Sequence, residues 1–147
     1  QIEIAQALGA DHVVNVAETS MVEFVKDWTG EGADCVIETV GGGQNFDDAL
    51  ASVRRRGTVV LVAGYFEPLT VDLSRLVWSE AVVVGSNCYA YSGREKDFDA
   101  AIEMIGSGKV DPTKIVSHRM MLDEIVEAFR IAADKTSGSV KVQVVQE

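Results

Sequence analysis

The sequence predicts an α/β fold built on a mostly parallel sheet. Apolar runs of strand length alternate with segments whose apolar residues recur at i, i+3 and i+4. The runs at 33–40 (ADCVIETV), 58–64 (TVVLVAG) and 81–88 (AVVVGSNC) are nearly continuous, whereas the closing run, 140–145, alternates with a period of two. Continuous runs mark strands covered on both faces, as in parallel sheets whose strands are joined by right-handed helical crossovers.

The elements follow in order. Ile4, Ala7 and Leu8 share one helical face, and Gly9 stops that helix. Residues 12–16 are expected to form a short strand. Ser20 and Glu23 make a capping box for a helix carrying Met21, Val25 and Trp28, which Gly30 and Gly32 close. After the 33–40 strand, Phe46, Ala49, Leu50 and Val53 define a helix expected to run to Gly57. Arg54, Arg55 and Arg56 would then complement its negative end, with Gly57 as the left-handed cap. The 58–64 strand, a polar connection containing Pro68, a helical turn at 73–78 and the 81–88 strand come next. Ser92 and Glu95 form a second capping box before Phe98, Ala101, Ile102 and Ile105, with Gly106 and Gly108 behind. A strand at 115–120 and a helix at 122–133 lead to the period-two strand, expected to be half-exposed and antiparallel.

Composition narrows the function. The chain has 147 residues, 47% hydrophobic and 24% charged, as a soluble globular domain requires. A net charge of -10 repels nucleic-acid phosphates and anionic membranes, so neither is an expected partner. Cys35 and Cys88 sit far apart in apolar runs, pointing to buried thiols in a reduced, cytoplasmic chain rather than a disulfide framework. No apolar run approaches the ~20 residues of a membrane helix. The chain opens at Gln1 inside a helical pattern and has its first methionine at Met21, which reads as a chain cut into.

The segment VIETVGGGQ, residues 36–44, invites comparison with a pyrophosphate-binding loop. Taking Gly41 and Gly43 as the first glycines of G-x-G-x-x-G puts Phe46 in the third glycine's place, so the motif fails. Other chemistry fails similarly. His12, Cys35, Cys88 and His118 lack zinc-clamping spacings, and Asp97 with Asp99 would need glycine where Ile102 stands to form a calcium loop. GSGKV at 106–110 lacks the P-loop residues at Glu103 and Val110. Tyr89 and Tyr91 are followed four residues on by Gly93 and Glu95 rather than by lysine, and there is no G-x-S-x-G. Glu38, Asp72 and Glu80 could act as general acids, but strand-end and loop carboxylates more commonly serve structure. What remains is a crevice beyond the strand C-termini, after Val40, Gly64 and Gly85, where open α/β sheets bind ligands.

Read as one string, the chain resembles the C-terminal portion of the zinc-type medium-chain alcohol, polyol and threonine dehydrogenases. IEIAQALGADHVVN, GADCVIETVGG, RRRGTVVLVAG and VVVGSNCY resemble successive segments of the nucleotide domain after its second strand. GKVDPTKIVSHRMMLDEIVEAF and SGSVKVQVV are similar to the return into the catalytic domain, although Met120 and Met121 replace a common Phe-Pro pair. The resemblance implies a partial Rossmann fold, a doubly wound parallel sheet lacking its first two strands, over residues 1–112. A C-terminal β-α-β return from the catalytic domain would occupy 113–147.

It further implies NAD(P)-linked oxidation of a secondary alcohol. Ala63, Gly64 and Tyr65 would meet the nicotinamide through their backbone, and Ser86, Asn87 and Cys88 would bind its carboxamide. Thr39 and Val40 would pack near the adenine-side ribose, and Lys141 would reach the pyrophosphate. Zinc ligands, the glycine-rich turn and the acid that selects NAD over NADP all belong to the family's N-terminal part, so a chain starting at Gln1 is expected to be inactive alone. Exposed strand edges at 33–40 or 81–88 would favour a homo-oligomer, unless the 12–16 strand pairs directly with 33–40. Two other readings stand beside this one: a stand-alone binding or oligomerisation module, and an unrelated Rossmann-like protein such as a methyltransferase, which should carry a glycine-rich first loop.

Overall fold

A computed structural model describes residues 1–88, 90–93, 95–134 and 136–146, leaving aside the side chain of Ser92. Tyr89, one of the tyrosines weighed above, lies outside them. The chain forms two compact units: Val14–Ala90, and Gln1–Val13 together with Tyr91–Glu147.

In the first unit, helix α2 (Met21–Thr29) precedes strand β1 (Ala33–Glu38), helix α3 (Gly43–Ser52), strand β2 (Val53–Leu61), helix α4 (Leu73–Ser79) and strand β3 (Val82–Gly85). The strands form a parallel sheet in the order β1-β2-β3, in which Leu61 is level with both Glu38 and Gly85. Ser20 caps α2 by accepting a hydrogen bond from the Glu23 amide at 3.3 Å, and Gly30 ends it with φ +83°. Replacing Ser20 with alanine should cost about 1 kcal/mol, read as a lower denaturant midpoint with an unchanged slope.

The core lies on one face of the sheet. Phe46, Ala49, Leu50 and Val53 pack with Val59, and Val36, Leu61, Leu76 and Val83 close around them. Right-handed crossovers between sequentially ordered parallel strands carry their helices to the same side. Consequently β1 is not covered on both faces as its composition suggests: Cys35 and Ile37 point away from the core, and Ile37 is 63% exposed. Neither cysteine is buried, because Cys35 shares that outward face and Cys88 lies beyond the end of β3.

Two local expectations are corrected here. Residues 12–16 form no strand; the Asn15 side chain accepts from the Ala17 amide and its carbonyl from the Glu18 and Thr19 amides, making a turn. The alternative pairing of that segment with β1 is therefore absent as well. Helix α3 ends at Ser52, and the three arginines open β2 rather than closing the helix. Arg54 pairs with Asp34 at 2.5 Å, while Arg55 and Arg56 both grip Glu80, which caps α4. The left-handed residue is Arg56 (φ 59°), not Gly57. Gly57 is needed for a different reason: a Cβ there would come within 2.9 Å of the Asp34 carbonyl.

In the second unit, helix α1 (Ile2–Ala7) is followed by the hairpin strands β4 (Tyr91–Ser92) and β5 (Glu95–Lys96) and by helix α5 (Asp97–Gly106). Ser92 thus lies in a strand and Lys96 takes the cap position of α5; the expected second capping box rests on the Ser92 side chain, which lies outside the described atoms. Strand β6 (Val116–Met121) runs through a 3-10 turn into helix α6 (Ile125–Ala133) and strand β7 (Lys141–Val145). β7 pairs with β6 in parallel rather than antiparallel. The intervening helix reverses the chain, returning it in the same direction, as any β-α-β unit does.

No helix of the described residues is long and apolar enough to cross a membrane.

Candidate functional site

The parallel register brings three loops together beyond the strand C-termini. Loop one is Thr39 to Gly42, loop two begins at Val62, and loop three begins at Ser86. The backbone stitches them in sequence: the Val62 amide donates to the Glu38 carbonyl at 2.9 Å, and the Ser86 amide to the Leu61 carbonyl at 2.9 Å. Open α/β sheets bind ligands beyond the C-termini of their strands, where these loops lie.

Glycine makes the first loop fit. Gly41 has φ +87°, and a Cβ on it would stand 3.2 Å from the Gly64 carbonyl and 3.4 Å from the Ala63 side chain. Gly42 also has positive φ and caps α3. Phe46, which breaks the dinucleotide motif, is a buried core residue on that helix. VIETVGGGQ is therefore a strand-end turn packed against its neighbour.

Of the residues singled out from sequence, Thr39, Val40, Ala63, Gly64, Tyr65, Ser86, Asn87 and Cys88 all fall on these three adjacent loops. Thr39, Val40, Gly64, Ser86, Asn87 and Cys88 are exposed, and Ala63 and Tyr65 half-buried. Lys141 lies at the start of β7 in the other unit, exposed, with its amide and carbonyl bonded to the Ser117 hydroxyl. Asp72 and Glu80 serve structure: Asp72 caps α4 through Ser74, and Glu80 holds two arginines before β3 begins.

Glu38 does more than its position in the sequence suggested. It is 5% exposed, and its Oε1 accepts from the Val40 and Gly41 amides, each at 2.7 Å. Its Oε2 accepts from the Tyr65 hydroxyl. Burial pushes its carboxyl up, but the Tyr65 hydroxyl and the Gly41 and Val40 amides outweigh this and leave it below the ordinary glutamate value. Burial, then the hydrogen bond and negative charge of Glu38, push Tyr65 up to about 12. The sequence signal was a lone carboxylate ending an apolar strand immediately before a glycine turn.

The pair's pH dependence follows from these directions. Tyr65 binds its proton more tightly in the folded chain, so its contribution is intact below the ordinary tyrosine value and lost as pH rises through about 12. Glu38 holds its proton less tightly when folded, so its contribution is lost as pH falls below the glutamate range. An ultraviolet titration should show a late tyrosinate step near pH 12 that Tyr65→Phe abolishes.

Among the described residues no three His, Cys, Asp or Glu side chains gather where they could hold a metal ion.

Comparison with known proteins gives a consistent result. The family model described as "Zinc-binding dehydrogenase" matches residues 1–109. An alcohol dehydrogenase of Cupriavidus necator is 30% identical over 145 residues, covering 98% of this chain and 39% of the relative. A sorbitol dehydrogenase of Bacillus subtilis is also 30% identical, covering 98% of this chain and 40% of the relative. Among solved structures, the 2R,3R-butanediol dehydrogenase of Bacillus subtilis superposes with a TM-score of 0.81 at 25% identity, over 99% of this chain and 40% of its own. The chain thus spans about 40% of the length of these relatives and matches their C-terminal, Rossmann-like portion.

Proposed function

We propose, because the chain belongs to the zinc-binding dehydrogenase family, that its three-loop crevice receives the nicotinamide half of NAD or NADP in an oxidoreductase acting on the CH–OH group of a small alcohol or polyol. The support for this is the adjacency of the three loops: the Val62 amide bonds the Glu38 carbonyl, the Ser86 amide bonds the Leu61 carbonyl, and a Cβ on Gly41 would stand 3.2 Å from the Gly64 carbonyl. Exposed main-chain groups on adjacent loops suit a flat ring and its carboxamide. When bound, the nicotinamide supplies a two-electron acceptor for the hydride of the alcohol carbon.

The chain's own part is binding and orientation. The backbone of Ala63, Gly64 and Tyr65 would face the ring, that of Ser86, Asn87 and Cys88 its carboxamide, and Thr39 and Val40 the ribose. Among the described residues, no three His, Cys, Asp or Glu side chains gather as the ligands of a catalytic zinc would. Residues 1–112 would form the nucleotide-binding part and 113–147 the return from the catalytic domain, a division supported by a family match that ends at residue 109. A cytoplasmic location is supported by two free thiols.

Calorimetric titration with NAD and NADP tests the reading. Saturable binding in the millimolar range, about 4 kcal/mol of binding free energy, is expected for one portion of a site. No saturable heat with either dinucleotide would count against it.

A second reading, association of copies through strand edges, is favoured by one observation. Both β1 and β3 are edge strands, carrying exposed Ile37, Val82 and Val84. Sedimentation should then show mass rising with concentration; a monodisperse monomer would contradict it.

A further inference from the structure

The crevice residues chosen by resemblance each belong to one loop, whereas Glu38 joins two. Its Oε1 sits where the amides of Val40 and Gly41 converge, and its Oε2 takes the hydroxyl of Tyr65 from the next loop. Consecutive amides aimed at one point form a concavity that favours an anion. In nucleotide-binding turns that anion is a ligand phosphate. Here the occupant is the chain's own carboxylate, buried and holding three donors.

Two consequences follow from that placement. First, the turn after β1 is held at a fixed height against the loop after β2, since the same carboxylate bonds both and Gly41 already touches Gly64. Second, a phosphate approaching this turn meets a negative charge and finds the two converging amides taken. We propose that Glu38 is a positioning residue of the crevice: it fixes the turn against the neighbouring loop and keeps phosphate off it, so that an uncharged part of the dinucleotide faces this wall. The inference rests on the dinucleotide reading for its ligand, but its two parts can be tested separately from it.

The carboxylate is ionised at neutral pH, as its lowered value requires, so the repulsion operates under ordinary conditions. Tyr65 has a matching role. Its hydroxyl donates to Glu38 and orients the carboxylate, and its backbone lies on the second loop. Neither residue needs to touch the reacting atoms to do this.

The test uses backbone amide resonances of the whole chain, with inorganic phosphate as the first probe. In the wild type, the Val40 and Gly41 amides should not respond to millimolar phosphate. In Glu38→Ala they should shift saturably, a gain that loss of a merely structural contact would not produce. Glu38→Gln keeps an acceptor for both amides and should retain the native turn without gaining the phosphate response. Tyr65→Phe should move the Val40 and Gly41 resonances, although it lies on another loop.

The dinucleotide is the second probe. Glu38→Ala should weaken its binding about tenfold, and Glu38→Gln should restore most of it. Wild-type amides that respond to phosphate as strongly as those of Glu38→Ala would overturn the proposal, as would a folded Glu38→Ala that gains no response. Should Glu38→Ala fail to fold, Tyr65→Phe decides: unmoved Val40 and Gly41 resonances would overturn the positioning role. A wild type that ignores the dinucleotide sinks the proposed function instead, and the phosphate measurement still judges Glu38.

Discussion

Phe46→Ala should unfold the Val14–Ala90 unit under conditions in which the wild type is stable. Phe46 is the largest side chain in a cluster otherwise made of Ala49, Leu50, Val53 and Val59. Truncating a buried phenylalanine typically costs ~3–5 kcal/mol, because both its transfer energy and the packing around the new cavity are lost. Ordinary domains have only about 5–15 kcal/mol to lose. This unit has a core on one sheet face, and its outward face leaves Ile37, Val82 and Val84 exposed, so among the described residues no second cluster compensates. Denaturant melts followed by circular dichroism should show the transition shifted far down or absent. A loss of less than about 1 kcal/mol would mean that the cluster around α3 is not the unit's core.

The second large effect belongs to Gly32, just before β1. Its φ of +112° is one that side-chain-bearing residues rarely adopt. A Cβ would also stand 2.7 Å from the Arg54 amide nitrogen, 2.8 Å from the Ser52 carbonyl and 2.9 Å from the Val53 carbonyl carbon. All three are backbone atoms at the junction where α3 becomes β2, so they cannot swing aside. Gly32→Ala should therefore cost about 1–3 kcal/mol for the backbone conformation and a similar amount for overpacking. Gly30→Ala is the control. Gly30 also has positive φ, +83°, but nothing lies within 4 Å of its would-be Cβ. It should lose only the conformational part, and equal losses at the two positions would show that close approach at Gly32 is unimportant.

The glycines and helices were the most legible features in the sequence, because their signals are local. Ser20 before an amphipathic helix, the i, i+3, i+4 spacing from Phe46 to Val53, and the helix 122–133 all reappear in the structure within a few residues. Local signals also misled where a partner decides the outcome. Residues 12–16 look like a strand, but a strand requires a neighbour. Val140 to Val145 alternate as an edge strand would, yet direction is set by the helix between β6 and β7, not by periodicity. The arginines after α3 read as a helix-end cluster, while their partners, Asp34 and Glu80, come from before β2 and after α4.

Burial was the least legible property. The apolar run around Cys35 says that the strand is hydrophobic, not how many of its faces find a cover. For the candidate site, the loops were legible: resemblance picked three segments, and the parallel register brings those segments side by side. The link between them was not. Glu38 and Tyr65 are 27 positions apart, and no spacing rule connects a strand-end carboxylate to a tyrosine on the next loop.

If the loops after β1, β2 and β3 receive a nicotinamide, residue-by-residue mapping of dinucleotide binding will show that binding at them. On titration with NAD or NADP, the amide resonances of Ala63, Gly64, Ser86 and Asn87 should shift together and saturate at a common concentration. Shifts confined to β6 and β7, or no saturable shift at these four residues, would contradict it.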